Sequence, residues 1–442
     1  MIDYEHTITH HTVTLGALTR AGDALAEFTE QDTEGTQQTR VVHVPAGLPG
    51  ERVTIAVEAP PPPRPGRHRR RWKPRPPRVW ITEIIEASPL RIAAPCPVFG
   101  TCGGCQLQHM QYAAQLTWKR DVVAQLLHTI GEFENPPLLD TVPCDYPWHY
   151  RNQMRFSVNR DGQPGLTARG SHRVLPLSSC PIADEQINRA LAVLSLVPNE
   201  RPQALIRCGT TSRQMLIQPT PPLAVQAQLA AVGLDLHTET MEEQLAGETF
   251  RIRPSSFFQT NTAQAEKMAH MVLHGLFAER TTTPTSHDSA IDNEHHPFTV
   301  VDAYCGVGTF ALFLSRHVEK VIAIEESASA IKDAQWNLRT VNNVEILKGK
   351  VEDVLPTLPT PLDGLVIDPP RAGCQPVVLD ALLQHPVARV VYVSCDPSTL
   401  ARDLNMLCQR NTTYRLHSVQ PLDMFPQTAH IECVAVLEHN EL

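Results

Sequence analysis

The C-terminal half of the chain contains five short apolar runs, at 298–304, 320–325, 344–347, 364–367 and 388–394, separated by segments long enough for a helix. Strands that alternate with helices pair in parallel, and runs apolar on both faces suit strands covered on both sides. No other feature limits the fold as strongly. It predicts an α/β region built on a mostly parallel, doubly wound sheet. Open sheets of this kind bind ligands at the carboxyl ends of their strands, so the residues that end each run become candidates for function. Two later runs, 414–419 and 431–437, predict a terminal antiparallel pair, and the apolar spacing over 262–277 predicts a helix before the sheet.

The first run leads into DAYCGVGTF, which reads as a strand, a glycine turn and the start of a helix. Glycines at such a turn let the backbone approach a nucleotide-type ligand closely, although many strand–helix turns use them for packing alone. The second run ends in Glu325, where a carboxylate can receive both hydroxyls of a ribose. S-adenosylmethionine and a dinucleotide satisfy this arrangement equally. The fourth run ends in DPPRAG, where two prolines make a rigid, donor-poor turn that would hold Asp368 beside a transferred group; a plain strand-terminating turn is the simpler reading. Amino-methyltransferases place an aromatic after a similar acid-Pro-Pro, and here Arg371 stands there, which counts against nitrogen as the acceptor.

The fifth run ends in VYVSCDPS, placing Cys395 at the carboxyl edge. A lone strand-end cysteine is more often packing than chemistry. Its company is Glu432, an acid that opens an otherwise apolar strand of Ile431, Val434 and Val436. A thiolate with a separate carboxylate is what methylation at a pyrimidine C5 requires. C5 becomes nucleophilic once a thiolate adds at C6, and a base must later remove the C5 proton so that the thiol can leave.

The first ninety residues read differently, as short strands at 11–18, 39–44, 51–58 and 79–87 that would close into a small antiparallel barrel. Between them, 64–78 carries eight Lys/Arg and no acid, with prolines on both flanks. That composition fits a solvated loop or a phosphate-binding arm with Trp72 available to stack. The chain as a whole has a net charge of −9, which at face value disfavours a nucleic-acid partner but averages this segment into an acidic remainder. A helix is expected over 108–129, and a mixed, strand-rich region over 150–253 with strands at 153–159 and 204–218; the polar stretch 281–297 reads as a loop or insertion. No apolar run approaches the ~18 residues of a membrane span, and the N-terminus lacks a secretory pattern. The 11 cysteines, an odd number, then argue for a reducing compartment and free thiols. Cys96, Cys102 and Cys105 lie within ten residues around a Gly-Gly turn, and Cys180 is followed by proline. Three thiols plus one distant suit an iron–sulfur cluster better than zinc, with buried unliganded cysteines as the plain alternative.

Together these residues resemble the RNA uracil-5-methyltransferase family. The resemblance runs over nearly the whole chain and rests on CPVFGTCGGCQLQH, FFQTN, DAYCGVGTF, IDPPRAG, VYVSCDPSTLARD and DMFPQTAHIE. It implies a Rossmann-like class I methyltransferase domain at 256–442, an OB-like TRAM barrel at 1–89 and a mixed α+β central region with an iron–sulfur segment at 90–255. It implies Cys395 as nucleophile, Glu432 as general base, and methyl-donor contacts from Gln259, Tyr304, Thr309, Glu325 and Asp368. It further implies S-adenosylmethionine and a [4Fe–4S] cluster on Cys96, Cys102, Cys105 and Cys180. The expected partner is RNA, with 23S rRNA favoured by the TRAM and cluster segments; the expected state is a cytoplasmic monomer without membrane contact. The same chemistry on tRNA is one alternative, and a non-catalytic RNA-binding or folding factor is another.

Overall fold

A computed structural model describes residues 8–31, 36–59, 76–197, 201–277 and 298–440. The basic segment therefore lies outside the described residues except for its last three positions, and the insertion 281–297 lies wholly outside them. The chain divides into two compact units. One comprises Met1–Gln115, Thr167–Arg173 and Gln427–Ala429; the other comprises Leu116–Leu166, Val174–Pro426 and His430–Leu442.

In the first unit, strands Ile8–Thr14, Arg52–Glu58 and Arg78–Glu86 form a three-stranded antiparallel sheet. Ala24–Gln31 and Gln37–Val44 form a separate antiparallel pair. Val13, Leu15, Phe28, Val44, Val53 and Ile55 contribute to one shared core. Among the described residues this is two sheets around a core, without the single closed ladder expected of a barrel. The strand Ala24–Gln31 was not expected from sequence: its buried face carries two alanines, weak β-formers, beside Phe28. Glu51 lies beneath this core with no exposed side-chain surface, held by Arg91 Nη2 at 2.6 Å and by the Leu48 and Ser88 N–H groups.

The second unit is organised by a seven-stranded sheet. Its strands, in chain order, are β1 (Thr299–Ala303), β2 (Lys320–Glu325), β3 (Val344–Lys348), β4 (Gly364–Ile367), β5 (Arg389–Ser394), β6 (Tyr414–Leu422) and β7 (Glu432–His439). They lie in the order β3-β2-β1-β4-β5-β7-β6. The first five are parallel, and β7 pairs antiparallel with both β5 and β6. Every residue of β1, β4 and β5 is buried, as expected of strands covered on both faces. Alternate residues serve opposite cores: Val301, Ala303, Leu365 and Ile367 belong to one, Val300, Val366, Val391 and Val393 to the other.

Helices α1 (Thr262–Phe277) and α2 (Thr309–Leu314) cover the second of these faces through Met268, Val272, Phe310 and Phe313, joined by Ala334 of α3 (Ala328–Asn337). Helices α4 (Pro376–Gln384) and α5 (Pro397–Leu404) cover the first through Val378, Leu382, Leu400 and Leu404. Gly275 makes the close packing of α1 possible, since a Cβ there would meet Val436 Cγ2 at 2.8 Å. A smaller six-stranded sheet precedes this assembly and includes Gln203–Cys208 and Gln214–Gln218. The single strand expected over 204–218 is thus two, joined by a turn in which Arg213 takes φ 61°.

Candidate active site

The strand order reverses between β2-β1 and β4-β5, so the carboxyl ends of β1 and β4 open a crevice. The β1 turn is strained there: Tyr304 has φ 67°, followed by Gly306 at 58° and Gly308 at 85°. A positive φ at a tyrosine is costly and points to a functional constraint. Two carboxylates hold the turn in shape. Glu325, ending β2, accepts the Gly306 N–H at 3.0 Å and the Ser327 N–H at 2.6 Å. Asp302 accepts the Ala311 N–H at 2.8 Å through Oδ2, while its buried Oδ1 has no hydrogen-bond partner.

A cavity opens beside this turn, lined by Phe257, Phe258, Gln259, Tyr304, Cys305, Thr309, Phe310 and Asp368 among others. Four of the five methyl-donor residues expected from sequence, Gln259, Tyr304, Thr309 and Asp368, therefore share one cavity. Glu325 is not among the lining side chains; it braces the turn from behind. The loop carrying Phe257 and Gln259 is anchored from below by Asn152, whose Nδ2 donates to the Gln259 carbonyl at 3.1 Å, and by Arg207, whose Nη2 donates to the Ser256 carbonyl at 3.0 Å.

Asp368 lines the cavity, and Asp302 and Glu325 hold the turn beside it. Burial pushes the Asp368 carboxyl up to about 7. Burial pushes Asp302 up to about 8; the Ala311 N–H opposes this, and the charges of Asp368 and Glu325 add to it. Carboxylates crowded this closely favour a cationic ligand, because a positive charge relieves both their repulsion and their desolvation. The orphaned Oδ1 of Asp302 points the same way. A sulfonium compound bearing an amino group fits this donor set, with Gln259, Tyr304, Thr309 and Asp368 as the residues that would hold it.

Cys395 follows β5 directly, and Glu432 opens β7, which pairs with β5 so that Ser394 faces Cys433. The antiparallel return of β7 thus brings Glu432 to the edge where Cys395 lies. Electrostatics register the proximity. The Cys395 thiol is raised to about 11, chiefly by burial and then by the charges of Glu432 and Asp368, with Arg371 opposing. Glu432 is 3% exposed. Burial lifts its carboxyl well above the usual range, with Asp368 adding and Arg371 again opposing. Arg371 is the cation acting on both groups, and its Nη2 lies 3.2 Å from His430 Nδ1.

Arg371 was legible in the sequence only as an anomaly in the acid-Pro-Pro turn, and Asp302 only as part of a motif. A third group, Arg402 and Asp403 of α5, carried no signal beyond its place in a motif. Arg402 Nη2 donates to the Ala372 and Cys374 carbonyls at 3.0 and 3.2 Å, and Asp403 Oδ2 accepts the Cys374 N–H at 2.9 Å and the Tyr392 hydroxyl at 2.7 Å. These bonds clamp the turn carrying Asp368 and Arg371 to the helix that follows Cys395.

Of the four cysteines expected to hold a cluster, Cys96, Cys102 and Cys105 belong to the first unit and Cys180 to the second. Among the described residues no group of three or more His, Cys, Asp or Glu side chains is disposed to hold a metal ion. Cys102 is raised by burial, with the Gly104 N–H opposing and the neighbouring Cys96 adding, so two of these thiols do lie near each other. Among the described residues no helix is long and apolar enough to cross a membrane.

Comparison with known proteins places this site in a class. A family model described as tRNA (uracil-5-)-methyltransferase matches residues 231–358 and 361–440. An uncharacterized RNA methyltransferase of Gloeobacter violaceus is 35% identical, with 97% of this chain and 96% of that protein aligned. Another, from a Nostoc species, is 32% identical over 96% of this chain and 95% of its own length. Among solved structures, the Pyrococcus abyssi tRNA (uracil-54, C5)-methyltransferase in complex with S-adenosyl-L-homocysteine superposes with a TM-score of 0.70 at 23% identity, covering 96% of this chain and 99% of that one. The last likeness establishes the class I methyltransferase fold. With the relatives, it defines an S-adenosylmethionine-dependent RNA methyltransferase. The chain belongs to the RNA uracil-5-methyltransferase family.

Proposed function

We propose that this protein methylates C5 of a uridine in 23S rRNA through a covalent adduct between Cys395 Sγ and C6 of the base. The observation that carries the reading is the meeting of Cys395 and Glu432 at one sheet edge, with Asp368 linking them electrostatically to the donor cavity. The Cys395 thiolate adds at C6 and leaves an enolate across C5 and O4. The bound S-adenosylmethionine supplies an electrophilic methyl group for C5. Glu432 then removes the C5 proton, and the electrons of that bond expel the Cys395 thiolate as the C5–C6 double bond reforms. The raised proton affinity of Glu432 suits it to a carbon acid. Uridine must leave its stack to reach this recess, and Phe257, 67% exposed at the cavity rim, offers a surface for it.

Support for rRNA comes from the resemblance of residues 1–89 to a TRAM domain and of 90–255 to a cluster-bearing central region, with 256–442 as the catalytic domain. The family description and the Pyrococcus abyssi neighbour name tRNA, which makes tRNA the second reading. A [4Fe–4S] cluster on Cys96, Cys102, Cys105 and Cys180 rests on sequence spacing, soft-donor chemistry and the family resemblance, and no step above uses it. Iron and sulfide analysis after anaerobic purification tests it, and a protein free of both removes it. A monomeric cytoplasmic enzyme completes the proposal.

Mapping 5-methyluridine in rRNA and tRNA from cells lacking the protein decides the substrate. Cys395→Ala is expected to abolish methylation, and Glu432→Gln to accumulate a protein–RNA adduct stable to denaturation. Full turnover by Cys395→Ala would sink the covalent mechanism.

A further inference from the structure

A cationic cluster that the proposed chemistry leaves unused lies on α3 and the strand Glu248–Ile252. The guanidinium carbons of Arg339 and Arg251 stand 3.4 and 4.8 Å from the centroid of the Trp336 ring. Exposed Lys332 is on the same helix, and the Arg251 Nη2 donates to its carbonyl at 3.4 Å. The acid within this group is Asp333, fully buried and already engaged. It accepts the Arg253 N–H at 2.8 Å, the Arg253 guanidinium and the Ser256 hydroxyl at 2.6 Å.

Arg251 receives little from Asp333, its Nε standing 3.9 Å away. That Nε is buried without a hydrogen-bond partner. Burial lowers the pKa of Arg251, and Arg253 and Arg339 repel it further, with Asp333 in partial opposition. Arg251 thus stands beside Arg253 and Arg339 with one saturated carboxylate between strand and helix, and exposed Lys332 precedes that carboxylate in sequence, on a chain whose net charge is −9. A strand–helix staple would account for Arg253 and Asp333 but leaves Arg251, Arg339 and Lys332 uncompensated. An anion supplies what they lack.

The position narrows the anion. Ser255 and Ser256 hydrogen-bond Ser329 of α3 at 2.7 and 3.2 Å, and the next residues, Phe257, Phe258 and Gln259, line the donor cavity. The cluster is therefore tied to the loop that forms the cavity rim. We propose that Arg251, Lys332 and Arg339, on the platform of Trp336, bind the phosphodiester backbone of the RNA flanking the target uridine. Planar guanidiniums suit phosphate oxygens, and the Trp336 ring holds two of them side by side. The inference rests on the RNA reading above and adds which surface of the catalytic unit carries the strand.

The test is equilibrium binding of the full-length protein to an unmodified 23S rRNA transcript across a salt series, for wild type, Arg339→Gln, Arg251→Gln and the double variant. Each phosphate contact removed is expected to reduce the slope of log K against log salt by about 0.7, while affinity for S-adenosylhomocysteine stays unchanged and reports an intact fold. Trp336→Phe is expected to keep most of the binding. A double variant with wild-type slope and affinity would overturn the assignment, as would poly-L-glutamate binding this surface more tightly than RNA. Absence of salt-dependent RNA binding in the wild type would instead overturn the RNA reading itself.

Discussion

Lys119 Nζ stands 2.5 Å from Asp423 Oδ1, with both side chains wholly removed from solvent. The same ammonium donates to the Phe425 carbonyl at 3.2 Å. Gln264, Asn261 and Tyr150 donate to the carbonyls of Asp423, Met424 and Pro426 at 3.0, 3.1 and 3.0 Å. Four side chains thus pin the segment that leads from β6 toward Glu432. The Glu432 end of β7 is held in place from outside its own strand.

Lys119→Met takes the cation away from the buried Asp423 carboxylate. A loss of about 3–5 kcal/mol is expected, read from denaturant unfolding. Pairing it with Asp423→Leu should restore most of the stability, because two apolar groups of similar volume carry no desolvation cost.

Arg371→Ala removes the cation that opposes Glu432 and Asp368 at Cys395. The thiol, already near 11, should rise further, so less thiolate forms at any given pH. Iodoacetamide alkylation of Cys395 followed against pH checks this: the wild-type rate should climb toward alkaline pH, and the variant curve should lie at higher pH. Coincident curves would remove Arg371 from the electrostatics of Cys395.

Asp302 gives a stability prediction whose sign is opposite to that of a salt-bridged acid. Its folded pKa, about 8, lies above that of an unfolded aspartate. The folded state retains the proton while the unfolded state releases it, so this group's contribution is full below the unfolded pKa and is lost as pH rises toward 8. The slope is at most about 1.4 kcal/mol per pH unit. Asp302→Asn keeps an acceptor for the Ala311 N–H and should raise the melting temperature at pH 8 while changing it little at pH 4.

Arg402→Ala frees the Ala372 and Cys374 carbonyls and loosens the turn that carries Asp368 and Arg371. With the guanidinium half exposed, the stability cost should be about 1 kcal/mol. Misplacement of reacting groups is far more expensive, so kcat should fall by roughly tenfold or more. Steady-state methylation set beside thermal unfolding separates the two.

Much of the catalytic unit could be read from the chain itself. Apolar runs that are buried on both faces mark β1, β4 and β5, and turn chemistry marks the strand ends that carry Tyr304, Asp368 and Cys395. These features are local, set by the residues at and next to each position. Glu325 shows where that legibility stops: its place at the end of β2 was evident, but its grip on the Gly306 and Ser327 N–H groups depends on how the turn closes. The same holds for the strand Ala24–Gln31, whose buried face exists only because a partner strand and a shared core cover it.

The sequence alone determined the alternation of strands and helices, the glycine turn and the residue types available for chemistry, because each depends on backbone preference and side-chain identity over a few neighbours. Only the tertiary structure decided that β7 returns antiparallel beside β5, setting Glu432 and Cys395 at one edge. It likewise decided that Arg371 opposes two buried acids and that Asp302 keeps an unpartnered oxygen beneath the cavity. The physical reason is that charge–charge coupling and desolvation depend on distance and burial through space, and neither is a property of separation along the chain.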